Sequence, residues 1–67
     1  MTGRNGEAQQ QELRRQINAY LIRHDLRQYE FAAQIGAPVQ TINRWLTGKT
    51  KVSQAYQAVM KAKGIVP

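Results

Sequence analysis

The sequence predicts an all-α fold, a compact domain of four helices. Apolar residues recur every three or four positions in four separate segments, and a glycine or a short polar connector follows each segment. No segment shows the sustained alternation of apolar and polar residues that marks a strand. We therefore expect helices at about residues 9–24, 28–35, 38–47 and 53–63.

The chain is long enough for one small domain. It has 67 residues, and a chain of this size buries only about 60% of the surface that its unfolded form exposes. We expect residues 9–67 to form the domain. Residues 1–8 contain two glycines and no apolar period, so we expect them to be a disordered tail. Whether Arg4 makes this tail a functional arm or a solvated extension is left open.

The first helix is predicted from a stripe of large apolar side chains. They recur at i, i+4, i+7 and i+8, and they are Leu13, Ile17, Tyr20 and Leu21. Ile22 lies off this stripe, so we expect it to be a single exposed apolar residue. Leu26, in the connector that follows, is expected to fill the core from the loop.

Residues 28–47 are expected to form a helix, a tight turn and a second helix. One face of the first helix carries Phe31, Ala32 and Ile35. Gly36 ends that helix because glycine adopts a positive φ at almost no steric cost. Pro38 suits the first position of the next helix, where its fixed φ is helical and its missing N–H is not needed. The apolar face of the second helix consists of Val39, Ile42, Trp45 and Leu46.

The last helix is predicted to begin after a favourable N-cap residue, Ser53. Its apolar face carries Val52, Ala55, Tyr56, Val59 and Ala62, while Met60 lies beside that face. Gly64 is expected to end the helix, and Ile65 to fold back as a hydrophobic contact.

The polar side of the 38–47 helix has an unusual composition. Gln40, Arg44 and Thr47 lie opposite the apolar face, and Asn43 and Thr41 flank them. Each of these side chains donates hydrogen bonds and none is an acid. Such groups contact base edges in a DNA major groove. The plain alternative is the polar exterior that any amphipathic helix carries.

Positive charge is concentrated in the second half of the chain. Residues 1–30 hold five basic residues and four acidic ones, whereas residues 31–67 hold five basic residues and no acid. A one-sided basic excess is typical of proteins that bind polyanions. A role in solubility alone is the alternative explanation.

Five positions in residues 28–47 follow the pattern of a known family. A Gln opens the first helix, a small residue follows four positions later, a Gly occupies the turn, and two apolar residues come after it. These are Gln28, Ala32, Gly36, Ile42 and Trp45. The stretch resembles the helix-turn-helix of phage repressor and Cro-type (lambda-repressor-like) DNA-binding domains. The resemblance implies a small, repressor-like transcriptional regulator that binds double-stranded DNA sequence-specifically, with the 38–47 helix in the major groove.

The resemblance also implies roles for individual side chains. Gln40 suits a bidentate contact to adenine, and Arg44 suits one to guanine. The expected base-contacting residues are Gln40, Asn43, Arg44, Thr41 and Val39, and the expected phosphate-contacting residues are Gln28, Tyr29, Thr47, Lys49, Thr50 and Lys51. In the family, the loop after the second helix runs beside the DNA backbone.

Other classes of function find little support in the sequence. The chain has no cysteine, one histidine and no glycine-rich phosphate loop, so we expect no enzyme activity, no metal site, no cofactor and no small-molecule substrate. No apolar run approaches the about 18 residues of a membrane span, and no secretory leader is apparent. We expect a cytoplasmic, nucleoid-associated protein that does not bind membranes, or a nuclear protein in a eukaryote.

Partners other than duplex DNA are left open by the sequence. The main alternative function is a protein-interaction module that uses the same fold without base contacts, through Ile22, Met60, Ile65 and Val66. A module for structured RNA is another alternative, although the deep, narrow major groove of A-form RNA excludes a helix. A homodimer on a two-fold DNA site is a third open point.

Overall fold

Four helices form the fold. The computed structural model describes the backbone of residues 2–66 and the side chains of residues 8–66. In chain order the helices are α1 (Thr2–Arg23), α2 (Gln28–Ile35), α3 (Val39–Leu46) and α4 (Gln54–Ala62), and residues 2–66 contain no strand. The predicted all-α class and the order of the four helices are confirmed.

α1 is longer than predicted. Its helical backbone begins at Thr2, ahead of the start expected near residue 9, and the helix ends at Arg23. Met1 and the side chains of residues 1–7 lie outside the described part of the structure. The expected tail at residues 1–8 and the domain boundary after it therefore stay predictions.

One apolar core joins the four helices. Its largest fully buried side chains are Ile17, Phe31, Ile42, Trp45 and Met60. α3 packs against α1 and α2, and α2 packs against α4. The ring of Tyr56 on α4 meets the Trp45 ring edge-on at a centroid distance of 5.4 Å, a favourable aromatic geometry. The core therefore holds α3 from three sides.

A residue in the left-handed conformation lies just after the C-terminus of α1. Asp25 has a φ of 53°, the one positive φ of a non-glycine residue in the described backbone. The Leu26 N–H donates to the Leu21 carbonyl at 2.8 Å, and the Asp25 N–H donates to the Ile22 carbonyl at 3.2 Å. This pair of bonds is a Schellman motif. It turns the chain so that Leu26 packs against the core, as predicted.

The turn between α2 and α3 follows the predicted chemistry with one correction. Gly36 has a φ of 74°, and the Ala37 N–H donates to the Ala32 carbonyl at 2.9 Å. Pro38 was expected as the first helical residue, but it is the N-cap of α3, with an extended ψ of 144°. Its carbonyl accepts the first α-helical hydrogen bond, from the Ile42 N–H at 3.4 Å, and also a bond from the Thr41 N–H at 3.0 Å, while its own missing N–H needs no partner.

The apolar face predicted for the last helix is wrong in part. Ala55 and Ala62 are exposed, whereas Met60, expected beside the face, is 0% exposed. Tyr56 and Val59 are half-buried. Side-chain size explains why Met60 is turned toward the core and the two alanines toward solvent. Burying an alanine methyl removes little apolar area from water, whereas a long methionine side chain fills an irregular gap in the core.

Both predicted ends of α4 are confirmed. The Ser53 Oγ accepts a hydrogen bond from the Tyr56 N–H at 3.4 Å. At the other end Gly64 adopts a positive φ, and the Ile65 N–H donates to the Met60 carbonyl at 2.9 Å. This bond places Ile65 beside Met60, where both side chains are buried.

The apolar surface expected for a protein-interaction module does not form. Met60, Ile65 and Val66 are all buried in the core. After α4 the Gly64 N–H donates to the Lys61 carbonyl at 3.1 Å and the Ile65 N–H donates to the Met60 carbonyl at 2.9 Å, a Schellman motif that folds Ile65 back onto the core. Ile22 is 80% exposed, as predicted, and is the one member of that surface that solvent reaches.

Replacing Trp45 by alanine measures how much the core depends on this side chain. We expect Trp45→Ala to lower the free energy of unfolding by about 3–5 kcal/mol, because a fully buried aromatic ring is lost. The whole domain is stable by roughly 3–10 kcal/mol if it has an ordinary stability per residue. Urea titration followed by circular dichroism gives the value. The control Ile22→Ala changes the free energy of unfolding by less than about 0.5 kcal/mol. If Trp45→Ala and Ile22→Ala lowered it equally, Trp45 would not be the buried core residue described here.

Asp25 offers a test of the α1 terminus. We expect Asp25→Val to lower stability by about 1–2 kcal/mol, because a left-handed φ presses a Cβ toward the following carbonyl and is least tolerated by β-branched residues. In a domain this small, each kcal/mol lowers the melting temperature by about 4–8 °C. Asp25→Asn is the matched control and stays near the wild-type value, since Asn tolerates this conformation. A valine variant that melts with the wild type would exclude the left-handed φ.

Candidate nucleic-acid interface

α3 has a buried side and an exposed side. Ile42 and Trp45 are buried against the other helices, whereas Gln40, Asn43 and Arg44 are exposed. These three exposed residues are called here the polar face of α3. Because the buried side is held by the core, the polar face is presented to solvent in a fixed orientation.

Two further predicted base-contacting residues lie at the edges of the polar face. Val39, in the first turn of α3, is 39% exposed, although its place on the apolar face predicted a buried side chain. Thr41 is half-buried. A shallow concavity is lined by the polar face together with Gln28, Val39 and Lys49. The structure therefore brings residues from both predicted sets to one surface.

The start of α2 contacts the polar face through a side-chain hydrogen bond. The Asn43 Nδ2 donates to the Gln28 Oε1 at 3.4 Å. Gln28 is half-buried as the first residue of α2. This bond restrains the amide of Asn43 and couples the two helices on either side of the turn.

Tyr29 follows in the first turn of α2 and is 61% exposed. The helix is capped here without a Ser, Thr or Asp. Instead the Glu30 Oε1 accepts a hydrogen bond from the Arg27 N–H at 2.8 Å, which is the acidic half of a capping box. Tyr29 is thus accessible at a helix N-terminus, a position that favours anions.

The 48–51 loop begins with another Schellman motif. Gly48 has a φ of 78°, its N–H donates to the Trp45 carbonyl at 3.1 Å, and the Lys49 N–H donates to the Arg44 carbonyl at 2.9 Å. Lys49, Thr50 and Lys51 are all exposed. Lys49 also lines the concavity beside the polar face. The loop therefore starts at the rim of that face.

Thr47 is engaged within α3 itself. Its Oγ1 donates to the Asn43 carbonyl at 2.9 Å and lies 3.3 Å from the Arg44 carbonyl. A hydroxyl has one proton, so its donor is already used in the last turn of the helix. A phosphate offers only acceptors, and Thr47 can therefore donate to one only after it breaks this bond.

A family comparison agrees with this arrangement. A helix-turn-helix family model matches residues 17–56, which is more than half of the 67 residues and includes α2, α3 and the loop after them. The chain belongs to the Cro/C1-type helix-turn-helix family. Members of this family are DNA-binding regulators and typically not enzymes, so the protein is a DNA-binding protein in this general sense. No curated protein and no solved structure gives a significant match.

The helix-turn-helix is joined to α1 and α4 by hydrogen bonds at Val52. The Val52 N–H donates to the Gln10 Oε1 at 2.7 Å, and the Val52 carbonyl accepts from the Gln57 Nε2 at 2.9 Å. The Val52 side chain is 3% exposed. The far end of the 48–51 loop is therefore held by three interactions at one residue.

Three residues of α1 that the sequence did not single out lie beside the helix-turn-helix. Gln10, Gln11 and Arg14 line an open groove together with Gly48, Lys49, Thr50 and Lys51. This set of seven residues is called here the basic groove. A sequence signal for it exists, because Gln10 and Arg14 continue the helical row of Ile17 and Leu21 toward the N-terminus. A polar pair that extends a core stripe is expected to lie near the edge of the core.

The described residues contain neither a membrane-spanning helix nor a metal-binding cluster. Within residues 2–66, no helix combines the length and apolar character that crossing a bilayer requires. Among residues 8–66, whose side chains are described, His, Cys, Asp and Glu do not gather in any group of three that could hold a metal ion.

Proposed function

We propose that this protein is a sequence-specific double-stranded DNA-binding protein, a small repressor-like transcriptional regulator that inserts α3 into the major groove. The polar face of α3 carries the proposal. It is exposed, it consists of hydrogen-bond donors without an acid, and the core fixes its orientation in a chain of the Cro/C1-type helix-turn-helix family.

Base contacts are assigned by the chemistry of the polar face. Gln40 offers an amide that pairs with N6 and N7 of adenine, and Arg44 offers two parallel donors to O6 and N7 of guanine. Each good bidentate pair is worth about 1–3 kcal/mol of discrimination between bases. Asn43 and Thr41 supply the flanking contacts, and Val39 presents a methyl surface to thymine.

Phosphate contacts are assigned to the residues around the polar face. Lys49, Thr50 and Lys51 are exposed on the loop after α3, and Tyr29 is exposed at the start of α2. Gln28 lies beside them and orients Asn43. Thr47 contributes only if its hydroxyl is released from the Asn43 carbonyl. Contacts to phosphate supply affinity without choosing a sequence.

Several finer points belong to the same proposal. The protein acts by binding, not by catalysis, and two copies occupy half-sites about 34 Å apart, one helical turn of DNA. Its place in the cell is the bacterial nucleoid, or the nucleus in a eukaryote. A protein-interaction module is less well supported, because Met60, Ile65 and Val66 are buried.

Charge-removing variants separate base contacts from phosphate contacts. We expect Arg44→Ala to lose preference at one base position, because its two donors are lost. Lys51→Ala weakens binding to every duplex alike and lowers the slope of log affinity against log salt by about 0.9. Fluorescence anisotropy over a salt series gives both quantities. The matched control is Lys63→Ala, which removes one charge at the C-cap of α4 from a residue that lines neither the basic groove nor the concavity beside the polar face, and leaves the slope nearly unchanged.

Selection from a random duplex library reports specificity and symmetry together. We expect a consensus of two inverted half-sites, since a two-fold protein dimer mirrors a palindromic operator. Sedimentation of the protein with the selected duplex gives the number of bound copies. A single half-site bound by one copy would exclude the dimer but keep sequence-specific binding. If no sequence is enriched and binding does not depend on salt, the proposed function is wrong.

A further inference from the structure

From the contacts around α1, we infer that the basic groove is a phosphate-binding site for the DNA backbone, that Arg14 contacts the phosphate there, and that Gln10 is its positioning residue. The inference rests on the proposed function of DNA binding. It assigns a DNA-binding role to α1, a helix that is not part of the helix-turn-helix formed by α2 and α3.

The composition of the groove points to an anion. Its lining contains three cations, Arg14, Lys49 and Lys51, and no acid. Gathering like charges costs free energy through mutual repulsion, and a bound phosphate relieves that cost. The other lining groups are amide and hydroxyl side chains and a glycine, which suit the contacts that position a DNA backbone.

The groove binds chiefly through its side chains. The backbone N–H groups of Gly48, Lys49 and Thr50 donate to carbonyls of α3, and the Val52 N–H donates to Gln10, so four backbone donors in and beside the loop are already used within the protein. The cationic side chains therefore supply most of the contacts, and a guanidinium binds phosphate through two parallel N–H groups.

The groove is continuous with the polar face of α3. Lys49 lines both the groove and the concavity beside the polar face. A DNA strand that passes from the polar face over Lys49 therefore reaches Arg14 next. Arg14 is half-buried, which limits the conformations its side chain has to lose on binding.

Arg15 is an arginine of α1 for which we infer no phosphate contact. It is the next residue on α1, it is exposed, and its guanidinium pairs with the Glu12 carboxylate at 2.6 Å. Such an exposed pair contributes little to stability. Arg15 does not line the groove. It is therefore a matched control for Arg14, with the same side chain on the same helix.

Gln10 acts on the groove through the backbone of Val52. Its Oε1 accepts the Val52 N–H at 2.7 Å, directly after the loop that carries the two lysines. The loop begins at the Schellman motif of α3 and ends at this bond, so both of its ends are fixed. Loss of the bond loosens the loop end, which the buried Val52 side chain and the bond from Gln57 still hold, without removing any charge from the groove.

The test of Arg14 uses the full chain, the selected duplex and an unrelated duplex, with anisotropy measured from about 50 to 200 mM salt. Loss of one phosphate contact lowers the salt slope by about 0.9, so the loss of affinity across this range becomes about 3.5-fold smaller. We expect this change for Arg14→Gln on both duplexes, and no change for Arg15→Gln. Arg14→Lys keeps the charge and restores the slope. Melting curves verify that each variant is folded.

The test of Gln10 is a double-mutant cycle with Lys51→Ala. Gln10→Ala weakens binding to both duplexes, and this effect shrinks when Lys51 is already absent, because Gln10 acts through the loop. Gln9→Ala is the control, a neighbouring glutamine that does not line the groove. Additive losses in the cycle would overturn the positioning role.

The outcomes distinguish this inference from the proposed function. If Arg14→Gln and Arg15→Gln behave alike while the wild type binds its selected duplex with a strong salt dependence, the groove is not a phosphate site and the proposed function stands. If the wild type binds no duplex at any salt concentration, the proposed function and the inference both fall.

Discussion

Burial of Ile42 and Trp45 is the constraint on which the polar face of α3 depends. α3 has eight residues, and an isolated helix of that length is not stable in water. Its helical form comes from packing against α1 and α2 and from the edge-on contact between Trp45 and Tyr56. The apolar side of α3 thus determines both the existence and the direction of its polar face. Each of the four helices is followed by a residue with a positive φ, at which the chain turns back toward the core.

Glu12 and Glu30 have local structural partners, which helps to explain how a basic surface is left uncompensated. Glu12 pairs with Arg15 and Gln16 on α1, and Glu30 caps α2 through the Arg27 N–H. Asp25 occupies the left-handed position after α1. No acid follows Glu30 in the sequence. The positive charge of α3 and of the loop after it is therefore not neutralised by nearby acids, and it attracts a polyanion at long range.

Much of the fold could be predicted from local chemistry, whereas part of the site could not. Apolar periodicity and the caps at Gly36 and Ser53 identified the helices, since each signal is contained within a few residues. Met60 was misplaced because a periodic pattern weighs methionine and alanine alike, while packing depends on their volume. The bond from Val52 to Gln10 joins residues 42 positions apart. The sequence places Gln10 and Arg14 on the same helical row as the core stripe of α1, but no local pattern predicts that they lie beside the 48–51 loop, so only the three-dimensional structure shows the basic groove.

The shortness of α3 has a thermodynamic consequence. Since the helix exists only in the folded domain, recognition of DNA and folding are a single coupled equilibrium, and a ligand that binds the folded state alone also stabilises it. A core variant at Trp45 or Ile42 therefore loses apparent affinity in proportion to its unfolded fraction, with its intrinsic affinity intact. Under the proposed base contacts, a variant at Gln40 or Arg44 leaves that fraction unchanged and alters the intrinsic affinity itself. Binding measured alone does not separate the two kinds of loss; binding measured with the folded fraction does.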